Sequence, residues 1–193
     1  MIKVNINFKY TTSGGYRDHD YIFYTEEAYD AWWTKQCKDH RKRKAIGIIE
    51  YINTKKENME NKVFLGGTCG DSTWRGELTP LLSTQNTTVN YFNPVVEDWT
   101  PECQAQEEEE KNRQCNIHLY VITSQMSGVY SIAEVVESAY KRDKITILQI
   151  IPYGFNEHQL KSLKATCDLV RRCGGIAYID EDLERTARIL NCI

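Results

Sequence analysis

No run in the chain approaches the ~18 consecutive apolar residues of a membrane span. The start, Met1-Ile2-Lys3-Val4, alternates polar and apolar residues like a strand and lacks the apolar core of a signal peptide. A location in the cytoplasm is therefore expected. A large excess of charge of either sign is missing: the formal net charge is −3 over 193 residues. A nucleic-acid-coating protein would need a basic face for phosphate contacts, so a nucleic-acid partner is not expected. The exception is the basic run 38–44. Seven cysteines are present, at Cys37, Cys69, Cys103, Cys115, Cys167, Cys173 and Cys192, with no C-x-x-C spacing. The odd number and scattered positions argue against a disulfide framework and a zinc site, so reduced thiols and no metal are expected. Neither a Walker A loop nor a G-x-G-x-x-G fingerprint occurs.

What is present is enough apolar material for a core, 41% of residues. The first 60 residues read as a small α+β unit. Residues 3–10 alternate as a strand, Ser13-Gly14-Gly15 is a turn, and 20–24 form a second short strand. Thr25 caps a helix to about residue 36, with Glu26 and Glu27 where the helix dipole favours anions. Residues 45–52 are a third apolar run, and the polar stretch 53–61 reads as a linker. The aromatic residues Tyr16, Tyr21, Tyr24, Tyr29, Trp32 and Trp33 are read as a mini-core in preference to an interface.

From residue 61 onward, strands alternate with helices. Strands are expected at 63–65, 89–92, 117–123, 145–151 and 176–179. Helices are expected at 74–82, 102–114, 131–141, 157–172 and 182–190. This rhythm predicts an α/β fold, a flavodoxin- or Rossmann-like parallel sheet flanked by helices. Such sheets bind ligands at the carboxyl ends of their strands, so the loops after strands hold the candidate site.

Three loops qualify. In the first, Gly66 and Gly67 allow close backbone approach, Thr68 and Ser72 add hydroxyls, and Trp74-Arg75 opens a helix with a guanidinium fork suited to an anion such as a 5′-phosphate. A tight strand-to-helix turn explains the same residues equally well. The second holds Asn93 and Pro94 at a strand end, with Asp98 as a carboxylate near the same rim; simple strand termination is the plainer reading. The third runs through Met126, Ser127, Gly128, Tyr130 and Ser131 to Glu134. Ser131-Ile132-Ala133-Glu134 has capping-box spacing, which would give Glu134 a purely structural task. The other reading places Glu134 in the first turn of a helix beside the ligand crevice, held ionised by the dipole and suited to attack an anomeric carbon. Glu137, one turn on, ranks second. The charge run 107–110 is read as a solvated helix face.

The series V-F-L-G-G-T (63–68) with W-R (74–75), F-N-P-V-V-E-D-W (92–99), L-Y-V-I-T (119–123) and M-S-G-V-Y-S-I-A-E (126–134) resembles the nucleoside 2-deoxyribosyltransferase-like family. The resemblance runs from about residue 62 to the C-terminus. It implies a small-molecule nucleoside or nucleotide substrate, no cofactor, and at least a homodimer. It implies that Glu134 attacks C1′ to form a glycosyl-enzyme ester, from which a second base or water takes the sugar. The loop at Gly66, Gly67 and Thr68 would lie beside the sugar, and Asn93 and Tyr130 would line the pocket. Family members often carry an Asp shortly before the nucleophile, whereas 125–130 has no acid here; Asn116 stands where they have another Asp. The proton donor for the leaving base is thus open among Asp98, Glu108 and Glu109. Two further activities compete with deoxyribosyl transfer: cleavage of NAD at its nicotinamide–ribose bond, and a binding module that senses nucleotides without turnover.

Overall fold

The computed structural model describes residues 2–10, 16–23, 25–45, 49–58, 60–83 and 89–193. The chain divides into two compact units, Met1–Glu60 and Asn61–Ile193.

In the first unit, β1 (Ile2–Tyr10) pairs antiparallel with both β2 (Tyr16–Phe23) and β3 (Ile49–Asn58), and α1 spans Glu26–Ala45. Thr25 caps α1 as expected, accepting the Ala28 N–H at 3.1 Å. Ile2 and Val4 are buried under Tyr21, Phe23, Tyr29 and Trp32. Phe23 and Trp32 rings lie 4.9 Å apart and Tyr21 and Trp32 rings 4.7 Å apart, so these aromatics form a mini-core. Tyr24, the side chain of Tyr16 and the Ser13-Gly14-Gly15 turn fall outside what is described. Two sequence expectations change. The helix continues nine residues beyond 36 through a Lys/Arg-rich stretch of good helix formers. Most of the expected linker is the second half of β3, registered from Asn53 opposite Asn7 to Asn58 opposite Ile2. Antiparallel strands tolerate polar residues because one face of such a sheet can meet water.

The second unit is a five-stranded parallel sheet in the order β5-β4-β6-β7-β8, with β4 Lys62–Gly67, β5 Asn90–Phe92, β6 Ile117–Ile122, β7 Ile145–Ile150 and β8 Ile176–Ile179. Numbered within the unit this is 2-1-3-4-5, the flavodoxin-like order, whose switch point lies between β4 and β6. The expected α/β class is borne out. Alternation along each strand feeds two cores. Val63, Leu65, Ile117, Leu119, Val121 and Ile147 face one side with α2 (Trp74–Leu78), the 3-10 turn Thr79–Leu82 and α6 (Leu183–Cys192). Phe64, Tyr120, Ile122, Leu148 and Ile150 face the other with α4 (Tyr130–Tyr140) and α5 (Glu157–Arg172). Each fully buried Leu or Ile contributes about 1.5–3 kcal/mol relative to exposure.

Two features position the site. Gly67 has φ +112°, and a Cβ there would lie 2.1 Å from the Val121 carbonyl oxygen, so only glycine allows β4 to end this close to β6. Helix α3 (Pro101–Glu109), capped by Thr100, does not run on regularly to Gln114 as its sequence suggests. Residues Glu110–Gln114 widen into a π turn, closed by Cys115 N–H donating to the Glu110 carbonyl at 2.8 Å. Within that wider turn Lys111 is buried, unusual for a lysine in a charged helix. Among the described residues, no helix is long and apolar enough to cross a membrane.

Candidate functional site

A cavity of about 390 Å³ opens between α3 and α4, lined by Trp99, Gln104, Glu107, Glu108, Lys111, Asn112, Tyr130, Glu134 and Glu137. Its central contact is an ion pair in which the Lys111 ammonium donates to the Glu134 carboxylate, both side chains nearly buried at 10% and 12% exposure. Two charges removed from water in this way are held by mutual attraction, and loss of either leaves the other uncompensated.

The capping-box expectation for Glu134 is not met. Helix α4 begins at Tyr130, its N-cap is Val129, and no side chain caps it. Ser131 instead donates its hydroxyl to the Gly67 carbonyl at 3.3 Å, and Glu134 turns to Lys111. Both partners are distant in sequence, and they outcompete the local motif.

Lys111 is itself fixed from below. Its backbone carbonyl accepts from His118 Nε2 at 2.8 Å, which makes Nδ1 the acceptor for the Ser138 hydroxyl at 2.8 Å; Ser138 and Thr146 hydroxyls lie 2.7 Å apart. This buried chain links β7, α4, β6 and the π turn. Burial, reinforced by Lys144, pushes the His118 pKa down to about 3, so the ring is neutral. The Lys111 ammonium also sits 5.7 Å from the Phe64 ring centroid.

The carboxylates around the pair differ. Glu107 is half-buried, and burial first, then the neighbouring Glu134 charge, raises its pKa above the usual carboxylate range. Glu108 is exposed and bonds to Gln104 at 3.3 Å. Glu137 pairs with Lys141 at 3.0 Å. Behind them, the Tyr120 hydroxyl is buried and makes no hydrogen bond to any described residue. Burial, followed by the charges of Glu134, Glu137 and Glu107, raises its pKa, so it stays a neutral donor.

Of the residues singled out from sequence, Glu134 and Tyr130 line this cavity, and Tyr130 is 76% exposed. Met126 is half-buried and lines an adjoining apolar groove between α4 and α5, while Ser127 and Gly128 are exposed. Asn93 is exposed and accepts the Val95 N–H at 3.2 Å, Pro94 is buried, and Asp98 is exposed and does not line the cavity.

The loop after β4 is tied into the scaffold. The Thr68 hydroxyl accepts the Thr123 N–H at 2.9 Å, and Ser72 and Thr123 hydroxyls are 3.2 Å apart. Trp74 is buried, with Nε1 donating to the Thr68 carbonyl at 2.9 Å. Arg75 is buried too: Nε and one terminal nitrogen donate to the Leu65 carbonyl at 3.1 and 2.9 Å, the other to the Thr68 carbonyl at 2.7 Å. The guanidinium fork expected to meet an anion grips the end of its own strand. Gly66 lies against the Tyr120 ring, where a Cβ would come within 2.7 Å.

Sequence reading missed Lys111, Glu107 and Tyr120. The available signal was the charge run 107–110 with Lys111 beside it, six residues before a central strand. Among the described residues, no cluster of His, Cys, Asp and Glu could hold a metal ion, and the six described cysteines are free. No curated protein sequence matches the chain significantly. Residues 60–152, which carry β4 to β7 and both walls of the cavity, match the family model described as nucleoside 2-deoxyribosyltransferase like, and the resemblance read from the three loops is thereby borne out over that segment.

Proposed function

We propose that the second unit breaks the N-glycosidic bond of a nucleoside and transfers the sugar, with Glu134 as nucleophile. The family match supports nucleoside glycosyl transfer in general. The observation that carries the finer reading is the Glu134–Lys111 pair, with Glu107 lining the same cavity. A Glu134 carboxylate oxygen bonds to C1′ as the C1′–N bond breaks, and the bonding electrons leave with the base. Glu107, whose pKa is raised by burial, gives the base nitrogen its proton. A second base or water then attacks C1′ and displaces the Glu134 carboxylate, and its proton returns to Glu107. Two inversions retain the configuration. Lys111 orients the carboxylate before attack and offsets its charge again when it departs as the leaving group. The proposed reaction uses no metal or organic cofactor, and the protein is proposed to be a cytoplasmic homo-oligomer.

A second reading, a nucleotide-binding module without turnover, draws on the same pair: an ammonium seated on Glu134 reduces its nucleophilicity. Chromatography of free base from a panel of deoxynucleosides, deoxynucleoside monophosphates and NAD distinguishes the two. Base release by the wild type and not by Glu134→Gln supports the enzyme. Ligand retained by both proteins with no release supports the module.

A further inference from the structure

We propose that the α3–α4 cavity selects its substrate by charge: it takes nucleosides with an unphosphorylated 5′ end, prefers those whose base is cationic, and rejects 5′-phosphates. This rests on the reading of the cavity as a glycosyl-transfer site and names its substrate class.

Three observations combine. First, four carboxyl groups line the cavity, those of Glu107, Glu108, Glu134 and Glu137; Glu137 is paired with Lys141 outside the lining, and a single lysine, Lys111, stands within it. That lysine is already seated on Glu134, so it has little attraction left for a phosphate. Second, the arginine that follows the glycine-containing loop after β4, Arg75, is buried and directs its donors to the Leu65 and Thr68 carbonyls. A phosphate entering this space would face like charges in a partly desolvated setting, where repulsion is weakly screened. Third, the groups suited to recognition are neutral. Tyr120 has a fully buried hydroxyl with no hydrogen bond to any described residue, behind the wall whose Glu134, Glu137 and Glu107 charges act on it. Such a donor suits an uncharged oxygen such as a sugar hydroxyl or ring ether. Trp99 and Tyr130 line the mouth at 57% and 76% exposure, and aromatic faces attract a cationic ring. A cationic base also leaves as a neutral molecule, so its departure needs no proton. That relieves a site whose third loop has no acid between Gln125 and Tyr130.

The test uses three probes that differ by one charged group each: nicotinamide riboside, its reduced neutral form and its 5′-phosphate. Affinity is measured by calorimetry at low and at 0.5 M salt, with base release followed in parallel. The expected order is cationic riboside first, about tenfold tighter than the reduced form, and the phosphate weaker than the riboside by at least as much. Both differences shrink at high salt. Glu108→Lys narrows the phosphate penalty. Equal or tighter binding of the phosphate, or equal binding of the charged and reduced ribosides, overturns the proposal, even if base is released. The charge order without base release sustains the selectivity and removes the glycosyl-transfer reading instead.

Discussion

The loop after β4 and the wall formed by α3 and its π turn invite opposite readings, and each behaves against its appearance. Gly66, Gly67, Thr68, Ser72 and Arg75 are the residue types that cradle anions, yet they bind one another and the end of β6. The stretch 107–111 looks like a solvated charge run, yet it delivers a buried lysine to Glu134 and a half-buried carboxylate beside it. The lesson is that donor-rich loops are informative only once their donors have been counted against the carbonyls nearby. Charge runs need the converse check, for a turn that redirects one residue inward.

If this contrast is right, substitutions in the wall remove turnover with the fold intact, and substitutions in the loop remove stability. The largest effect is expected for Glu134→Gln, with base release falling by about 10³-fold or more while the circular dichroism spectrum is kept. Next comes Gly67→Ala. Its Cβ would meet the Val121 carbonyl at a positive φ, and denaturant melts should register a loss of about 3–5 kcal/mol. Arg75→Met leaves the Leu65 and Thr68 carbonyls short of buried donors, an expected loss of about 2–4 kcal/mol. A normal melt together with weakened ligand binding would return Arg75 to the anion-binding role.

For a nucleoside with an uncharged base, whose departure needs a proton, Glu107→Gln should lower the rate by about 10²-fold at neutral pH. Because the Glu107 pKa is raised, activity in the wild type should fall as pH rises through that value, and this alkaline limb should vanish in the variant. The smallest effect concerns His118. Its pKa is depressed in the fold, so the unfolded chain binds the extra proton first. Its stabilising contribution is complete above pH ~6.5 and declines as pH falls toward 3. Between pH 7 and pH 5 the loss is on the order of 1–2 kcal/mol, readable as a lower melting temperature that His118→Asn makes less pH-dependent.

Much of the fold was legible because its causes are local. Helix α5 has the expected bounds, with Asn156 and Gln159 forming a reciprocal capping box and Gly174 turning the chain at φ +98°. The apolar strands β6 and β7 announce themselves by β-branched runs covered on both faces. What stayed hidden depends on partners far along the chain. Ser131-x-x-Glu134 has the spacing of a cap, but Gly67 and Lys111 claim its two side chains from 64 and 23 residues away. The inward turn of Lys111 needs the His118–Ser138–Thr146 chain and a π turn, neither of which leaves a periodic trace. The second half of β3 was read as a linker because a strand with one wet face has the composition of a loop.

The central claim is that Glu134 becomes covalently bound to the sugar, and rapid acid quench followed by peptide mass spectrometry tests it most directly. During turnover of the best substrate, the account predicts a sugar ester on the peptide containing Glu134, absent from Glu134→Gln. Steady base release with no adduct on that peptide, or release undiminished in Glu134→Gln, would contradict it.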